Sequence, residues 1–322
     1  MNYYINVAMG LGGNFALSSV ITQIKETYGD EHDFYVSSPY WDCFLCNPNV
    51  KHVYKPNQIR DFIFDAKNDS NSKLIIHRLY DMDEFIKKEA TYKTAWYKML
   101  GIEPKTEGND LVSKLDVYSK FPALKPMVDK YLKDIKDKGY KDFIVIQFEG
   151  GVSPLVNVPD NDWSKVPDPY DNEPLGRIYP RENAKEFIKL YQKAHPKTAI
   201  VNYTLPNQAN YGVGELKEIM PYLVYYELVK LPECKGIVAI DSSLQHLTAG
   251  LKPTVVVWGH SINADKDGNI IYNNFGYDRN RNIVQSCRRD DILYFTALGA
   301  SGARIDYIEP EELLKEVEEE IN

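Results

Sequence analysis

The residues best suited to chemistry stand at the end of a predicted strand in the second half of the chain. Residues 236–240 are an apolar run typical of a buried strand, and Asp241-Ser242-Ser243-Leu244-Gln245-His246 follows it directly. We expect Ser242 or Ser243 to cap a helix that begins here, with its first-turn amides facing outward. Because the positive end of the helix dipole favours an anion, this segment predicts a diphosphate site. A capped helix whose polar side chains make only local hydrogen bonds is the structural alternative.

Further polar groups follow another predicted strand of this half. Gln147 and Glu149 come directly after residues 143–146, and the carboxylate of Glu149 suits sugar or ribose hydroxyls better than phosphate. Arg177 precedes a predicted helix over residues 181–194, and its guanidinium can hold a phosphate through two parallel hydrogen bonds. A surface arginine before a helix is the structural alternative for Arg177.

Strands and helices alternate along almost the whole chain, which favours parallel sheets covered by helices. We therefore predict an α/β protein of two Rossmann-like doubly wound domains, residues 1–138 and 139–322, facing across a cleft that binds ligands at the strands' carboxyl ends. The predicted strands cover residues 3–9, 33–37, 50–54, 73–77, 143–146, 198–203, 236–240 and 254–257. The predicted helices cover residues 14–28, 91–100, 126–138, 181–194, 214–220, a segment from 242, and 309–321. Residues 150–174 show no periodicity.

Length and composition agree with two domains. The 322 residues exceed what one core usually organises, and the net charge of -8 argues against a broad nucleic-acid groove. No apolar run approaches the ~20 residues that cross a bilayer, and the first residues lack a secretion signal, so we expect a cytoplasmic protein. Cys43 and Cys46 form a Cys-x-x-Cys pair without further ligands at zinc spacing or a thioredoxin-like context, which favours a structural role.

Three stretches, in order, resemble the heptosyltransferase family, GT-B enzymes that transfer a sugar from ADP-heptose to lipopolysaccharide core. In the family's donor segment, a strand is followed by Asp-Thr-Gly, then by a short helix with a His, and then by a strand that ends in Gly. The residues of this chain that match the segment are Asp241, Ser242, His246, Thr248, Ala249 and Gly259. Ser243 stands where the family usually has Gly. Residues 176–183 resemble its Lys-x-Trp-Pro element, with Arg177 in place of a lysine that contacts the donor phosphates. Residues 47–53 resemble its Asn-Pro-x-Val-x-x-Val element.

The chain departs from the family at the glycine turn that opens its first helix. Many members have a Gly-Asp pair there, and that Asp is the proposed base, whereas this chain has Gly12, Gly13 and Asn14. An Asn side chain can orient a hydroxyl but does not accept its proton at neutral pH. Substitute bases at strand ends are His77, since imidazole suits proton transfer near neutral pH, then Asp81 with Asp83, and Asp42. A single histidine at a strand end is more often structural.

The resemblance implies an inverting single displacement in which an acceptor hydroxyl attacks a nucleoside-diphosphate sugar. The leaving charge would be stabilised by Arg177 and the amides at Ser242 and Ser243. We expect neither a metal nor another cofactor, since no Asp-x-Asp motif ends a strand of the donor domain; residues 81–83 have that spacing but lie in the first half.

The sequence leaves the acceptor and the oligomeric state open. The resemblance implies a bacterial surface glycan or lipopolysaccharide core. A composition rich in Asn, Lys, Tyr and Asp suggests an AT-rich genome and the alternative of a phage enzyme that modifies hydroxymethylated cytosine in DNA. A catalytically inactive nucleotide-sugar-binding module is a further alternative. A nicotinamide dehydrogenase is disfavoured, because the glycine turn lacks a third glycine in register and no acid ends the second strand.

Overall fold

The computed structural model describes residues 1–87, 89–150, 179–204, 208–212, 219–258, 263–264, 270–271, 276–284, 286–287, 305–306 and 308–321. The chain forms two compact units, Met1–Pro122 and Ala123–Asn322. Each unit has a sheet of parallel strands with helices between them, which confirms the predicted α/β class and its two doubly wound sheets. The division falls before the helix Lys125–Asp137, because that helix contacts the helix Tyr222–Lys230 of the second unit.

The first unit contains a four-stranded sheet. Its strands are β1 Asn2–Asn6, β2 Asp33–Ser37, β3 His52–Tyr54 and β4 Ser72–Ile75. Its helices are α1 Leu11–Tyr28, α2 Trp41–Leu45, α3 Ile59–Asn68, α4 Asp83–Ile86, α5 Tyr92–Leu100 and α6 Val117–Lys120. The order β3-β2-β1-β4 means that the chain builds outward from β1 in one direction and then returns to its other side. The topological switch point, where ligands bind in open α/β sheets, therefore lies between β1 and β4.

The second unit contains a five-stranded parallel sheet in the order β11-β8-β7-β5-β6. Its strands are β5 Asp142–Gln147, β6 Thr198–Asn202, β7 Cys234–Ile240, β8 Thr254–Trp258 and β11 Arg281–Val284. Two antiparallel pairs add β9 Asn263–Ala264 with β10 Ile270–Ile271, and β12 Ser286–Cys287 with β13 Ile305–Asp306. The helices are α7 Lys125–Asp137, α8 Arg181–Ala194, α9 Tyr222–Lys230, α10 Ser243–Leu247 and α11 Pro310–Ile321. Here the switch point lies between β5 and β7.

The central strands of the second sheet are buried along almost their whole length and apolar in their middle, because helices cover both faces. On one face Ile144, Ile146 and Val238 pack with buried side chains of α8 and α11. Gly236 allows the last turn of α11 to approach β7, since a Cβ at this position would lie 2.7 Å from the Ile321 side chain. None of the described helices is long and apolar enough to cross a membrane.

Several elements differ from the predicted ones. The first strand ends at Asn6 instead of Met9, and α3, α9 and β11 had not been predicted. The buried residues of α9 run without a break from Leu223 to Val229, so its sequence has no polar stripe to reveal a helical period. The predicted helix over residues 214–220 and the stretch 150–174 lie almost entirely outside the described residues.

Candidate functional site

At the switch point of the second sheet, one side chain joins the ends of both central strands. Gln147 is the last residue of β5, and its Nε2 donates to Ser242 Oγ at 3.0 Å. Its Oε1 accepts a hydrogen bond from the backbone amide of Leu244 at 3.1 Å. The loop after β7 is therefore held to the end of β5 by a single amide group.

This contact changes the expected capping of α10. Ser242 occupies the N-cap position in an extended conformation, but its side chain makes no capping bond. Gln147 satisfies the amide of Leu244 instead, so this amide does not point outward as the sequence led us to expect. Since α10 has only five residues, its dipole is also small. At this edge of the sheet, the hydrogen-bond donors available to a ligand are hydroxyl groups more than helix amides.

Three strands bring polar groups to this edge. Tyr203 follows β6, and its hydroxyl lies 3.1 Å from Ser243 Oγ. Ser242, Ser243 and Tyr203 are half-buried, while Asp241, the residue before Ser242, is buried. Gln245 Nε2 lies 3.5 Å from Asp241 Oδ1. The predicted segment thus brings two half-buried serine hydroxyls, preceded by a buried carboxylate, to this edge. Tyr203 adds a phenol that sequence reasoning missed, and its position directly after a strand was the available signal.

His246 points into the protein. Its side chain is buried, and Nδ1 lies 2.8 Å from the hydroxyl of Tyr277, with the two rings edge to face. Burial raises the pKa of the Tyr277 phenol well above its usual range, so Tyr277 remains a neutral hydroxyl. Asn282 in β11 donates to the carbonyl of Tyr277 at 3.0 Å and accepts from Trp258 Nε1 at 2.8 Å. His246 therefore anchors α10 to the β8–β11 side of the sheet.

Glu149 is an internal anchor as well. Only 2% of its side chain is exposed, and it accepts two hydrogen bonds from the Arg181 guanidinium, at 2.8 and 3.1 Å. The hydroxyl of Tyr211 and the amide of Ala209 donate to it at 2.9 and 3.2 Å. A carboxylate has about four lone-pair sites, and these contacts use that number. The expected contact with sugar hydroxyls is thus replaced by bonds that tie α8 and residues 208–212 to the end of β5.

The remaining donor candidates are placed as follows. Arg177 and Gly259 lie outside the described residues. Thr248 is buried, and its hydroxyl donates to the carbonyl of Leu244 at 2.8 Å, a bond back to the preceding helical turn. Ala249 is buried as well.

At the glycine turn of the first sheet, Asn14 is buried, and both the nitrogen and the oxygen of its side-chain amide make hydrogen bonds. Nδ2 donates to the carbonyls of Met9 and Gly10, both at 2.9 Å, and Oδ1 accepts from Ser38 Oγ. A Cβ at Gly13 would lie 2.5 Å from Cε and 3.1 Å from Cβ of Met9, so a larger residue at this position would require the Met9 side chain to shift. Because two carbonyl oxygens must receive donors, the turn selects an amide over a carboxylate. Asn14 stabilises the turn instead of orienting a hydroxyl; Gly12 is half-buried beside it.

The three candidate bases differ in their surroundings. His77 is exposed and follows β4 by two residues, beside β1 at the switch point of this sheet. Asp81 is bound to Arg78, whose Nη2 lies 2.9 Å from Asp81 Oδ1, and the hydrogen bond from Arg78 lowers the pKa of Asp81 below its usual value. Asp42 lies in the first turn of α2 and accepts from the amide of Cys43 at 3.1 Å.

Within the described ranges, no group of three or more His, Cys, Asp or Glu side chains could hold a metal ion. Cys43 and Cys46 are buried in and after α2, and neither takes part in a disulfide. Burial, the largest cause, raises the pKa of the Cys43 thiol well above its usual value, which keeps it protonated. This environment favours the structural role expected for the pair.

No known family profile and no curated protein matches the chain. Solved structures do match it, among them the following two. The glycosyl transferase family 9 protein from Veillonella parvula has a TM-score of 0.60 and 11% identity, over 99% of this chain and 96% of that chain. The ADP-heptose LPS heptosyltransferase II from E. coli has a TM-score of 0.54 and 13% identity, over 99% of this chain and 98% of that chain. The resemblance to heptosyltransferases is confirmed at the level of fold: the chain has the two-domain, doubly wound α/β fold of these two glycosyltransferases.

Proposed function

We propose that this protein is a glycosyltransferase that moves a sugar from a nucleoside-diphosphate sugar to a hydroxyl of a bacterial surface glycan. The observation that carries the proposal is the cluster of Asp241, Ser242 and Ser243 at the switch point of a sheet whose fold matches glycosyltransferases over 99% of the chain. A switch point is the usual ligand site of an open α/β sheet. The fold alone would leave the chemistry open, and the cluster supports a polar ligand.

The donor contacts follow from the groups at this edge. The residues Ser242, Ser243 and Tyr203 are half-buried. The Ser242 hydroxyl accepts from Gln147, so its own proton can be donated to a phosphate or sugar oxygen. In the Tyr203–Ser243 pair one hydroxyl donates to the other, and both oxygens can accept from sugar hydroxyls. Asp241 lies directly before them and can accept from a sugar hydroxyl. We assign to Arg177 the role of binding the diphosphate, since the two parallel N–H groups of a guanidinium match phosphate geometry.

The proposed reaction is a single displacement with inversion. The acceptor oxygen forms a bond to the anomeric carbon as the bond from that carbon to the phosphate oxygen breaks, and the acceptor proton passes to a base. We assign this base to His77, because Asn14 is buried and Asp81 is bound to Arg78. The departing diphosphate keeps the bonding electrons, and Arg177 with the serine hydroxyls stabilises its charge without a metal.

Donor binding is tested first. The full chain is heated with ADP-, UDP-, GDP- and dTDP-sugars in turn, and a ligand that binds the folded state raises the melting temperature. We expect one nucleotide class to do so, and Asp241→Asn and Ser242→Ala to weaken its binding about tenfold each, the worth of one lost hydrogen bond. Asp129→Asn, at an exposed position of α7, is the matched control and should bind normally. If no nucleotide sugar shifts the melting temperature, the donor assignment fails.

Transfer is tested with the donor found in that panel. A lipopolysaccharide core extract and hydroxymethylcytosine DNA are offered as acceptors, with and without a chelator. We expect transfer to the glycan, insensitive to the chelator, and about 100-fold slower turnover in His77→Gln at unchanged donor affinity, as for loss of a general base. Transfer to DNA alone would replace the acceptor assignment. Tight donor binding without turnover would identify a binding module in place of an enzyme.

A further inference from the structure

Two of the hydrogen-bond partners of the Gln147 side chain have a role that cannot be reversed. The backbone amide of Leu244 can only donate, and it donates to Oε1 at 3.1 Å. The backbone carbonyl of Glu149 can only accept, and it accepts from Nε2 at 3.4 Å. Because Gln147 is buried, turning its amide over would set donor against donor and acceptor against acceptor without water to replace them. These two partners therefore fix the orientation of the amide.

The fixed amide decides the direction of its third hydrogen bond. Nε2 donates its second proton to Ser242 Oγ at 3.0 Å, and since an amide nitrogen does not accept, the serine hydroxyl is the acceptor. Ser242 is half-buried, and in the part of the chain that the structure describes its own proton has no acceptor. The bonds from Leu244 through Gln147 to Ser242 thus run in one direction, and bonds in such a chain strengthen one another.

We propose that Gln147 is a positioning residue for the diphosphate of the sugar donor. By holding Ser242 as an acceptor within the protein, it makes the serine hydroxyl a donor toward the ligand. A diphosphate suits this polarity, because its ionised oxygens accept hydrogen bonds and do not donate them. Both protons of Nε2 are engaged, so Gln147 acts through Ser242 and does not bind the donor directly, as had been expected from the sequence. The inference rests on the proposed glycosyl transfer, whose donor carries this diphosphate.

The benefit to the ligand is preorganisation. A serine hydroxyl without a fixed partner turns freely, and the ligand must orient it on binding. Here Nε2 already occupies one side of the Ser242 oxygen, so the proton is directed elsewhere before the ligand arrives. Donors that are oriented in advance stabilise the charge of a leaving group without reorganisation during the reaction.

The first measurement separates a phosphate contact of Ser242 from a sugar contact. The full chain is titrated in a calorimeter with ADP, UDP, GDP and dTDP, and with the nucleotide sugars of the melting-temperature panel. We expect Ser242→Ala to lower the affinity about tenfold, and equally for a nucleoside diphosphate and its sugar, because both carry the diphosphate. Ser242→Thr keeps the hydroxyl and should bind within about twofold of the unmodified chain. A loss confined to the nucleotide sugar would place Ser242 against the sugar and overturn the proposal.

The second measurement reverses the direction of the Gln147 bond. In Gln147→Glu the ionised carboxylate accepts from both Leu244 and Ser242, so the serine proton turns away from the ligand. Burial against the carbonyl of Glu149 raises the pKa of this carboxyl group, and at acidic pH its neutral form again has a proton to donate to Ser242. Relative to the unmodified chain at the same pH, the affinity should be about tenfold lower at about pH 8 and within about twofold at about pH 5.

A double variant distinguishes this effect from direct repulsion between the introduced carboxylate and the diphosphate. Repulsion persists when the hydroxyl is absent, whereas the effect of hydroxyl orientation vanishes. At about pH 8, Gln147→Glu/Ser242→Ala should therefore bind at most about threefold more weakly than Ser242→Ala. Gln192→Glu, near the end of α8 and before β6 begins, makes the same charge change at the opposite edge of the sheet and should bind normally.

The outcomes separate this inference from the proposed function. A loss in Gln147→Glu that is independent of pH, or additive losses in the double variant, would overturn the role of Gln147 and leave donor binding and transfer by the unmodified chain untouched. Absence of binding by all the nucleotides would remove the proposed donor site and this inference with it. A cooperative unfolding transition verifies that each variant is folded. The comparison of Ser242→Ala with Ser242→Thr leaves Gln147 unchanged, so it tests the proposal even where Gln147→Glu does not fold.

Discussion

Gln147 Nε2 lies 3.0 Å from Ser242 Oγ, although the two residues are 95 positions apart in the chain. The contact exists because β5 and β7 are neighbours in the sheet, with Gln147 paired to Ala239 near the end of β7. The contact holds Ser242, whose hydroxyl we propose binds the sugar donor, at the end of β5 instead of leaving it on a free loop. The oxygen of the same side-chain amide accepts from the backbone amide of Leu244, and the first prediction concerns this bond.

Replacing Gln147 by Ala should destabilise the fold by about 1–3 kcal/mol, because the buried amide of Leu244 loses its acceptor. Ser242→Ala is the matched control, since it removes the other hydrogen bond of Gln147 and keeps the acceptor for Leu244. The free energy of unfolding in urea measures both variants. Equal losses in the two would show that the Leu244 bond is not the stabilising one.

The effects of replacing Glu149 and Arg181 on the free energy of unfolding should be strongly coupled. Removing one partner of a buried ion pair typically costs about 3–5 kcal/mol, and because a quarter of Arg181 is exposed we expect about 2–3 kcal/mol for Arg181→Met. The double variant Glu149→Gln/Arg181→Met should lose less than the sum of the single variants, since no unpaired carboxylate remains. A double-mutant cycle from urea unfolding gives the coupling energy, and additivity within about 0.5 kcal/mol would refute it.

Asn14→Asp, which restores the acid found in many heptosyltransferases, should impair this protein. The carboxylate would face the carbonyls of Met9 and Gly10, which now accept from Nδ2. Burial beside two carbonyl oxygens, with the Ser38 hydroxyl as donor to the other oxygen, raises the pKa of a carboxyl group in the folded state above its unfolded value. The variant should therefore be closest to the unmodified chain at acidic pH and lose stability as pH rises through the unfolded value of about 4.

Urea unfolding across this pH range, with Asn14→Ala as the control that adds no charge, measures the effect. A parallel pH dependence in the two variants would contradict it. We also expect no gain in transfer rate from Asn14→Asp, because the side chain at this position is buried.

The buried thiols should be inert in the folded protein. Burial raises the pKa of Cys234 to about 12, so the reactive thiolate is scarce near neutral pH. Labelling with N-ethylmaleimide and peptide mapping should modify Cys43, Cys46 and Cys234 only after unfolding. Rapid labelling of any of them in the native state would show that the segment opens.

The same shift predicts a pH dependence of stability. The folded pKa of Cys234 lies above the unfolded value of about 8.5, so its contribution is complete below that value and declines as pH rises toward 12. Between about pH 9 and pH 10 the unfolding free energy of Cys234→Ala should fall less steeply than that of the unmodified chain, by about 1 kcal/mol per pH unit. Identical slopes would contradict the shift.

The local sequence pattern was sufficient to predict the helices and strands that have clear boundaries. The helix over residues 181–194 was predicted with its observed ends because Pro180 precedes it and its apolar residues recur at helical spacing. The strand over residues 33–37 was predicted equally well. Pattern failed for α9, which is apolar on all sides, and for α3, whose exposed Phe64 and Ile63 obscure the buried face. Both failures arise because periodicity reports burial only when one face is polar.

The sequence by itself determined the order of strands and helices, the glycine turn and the polar segment from Asp241 to His246. Only the tertiary structure decided which strands are neighbours, and with them the partners of Asn14, Gln147 and Glu149. Those partners lie as far as 97 positions away, as for Gln147 and Leu244. Sequence periodicity reflects contacts within a turn or a strand, whereas these hydrogen bonds depend on how distant strands pair and which ends meet at one edge.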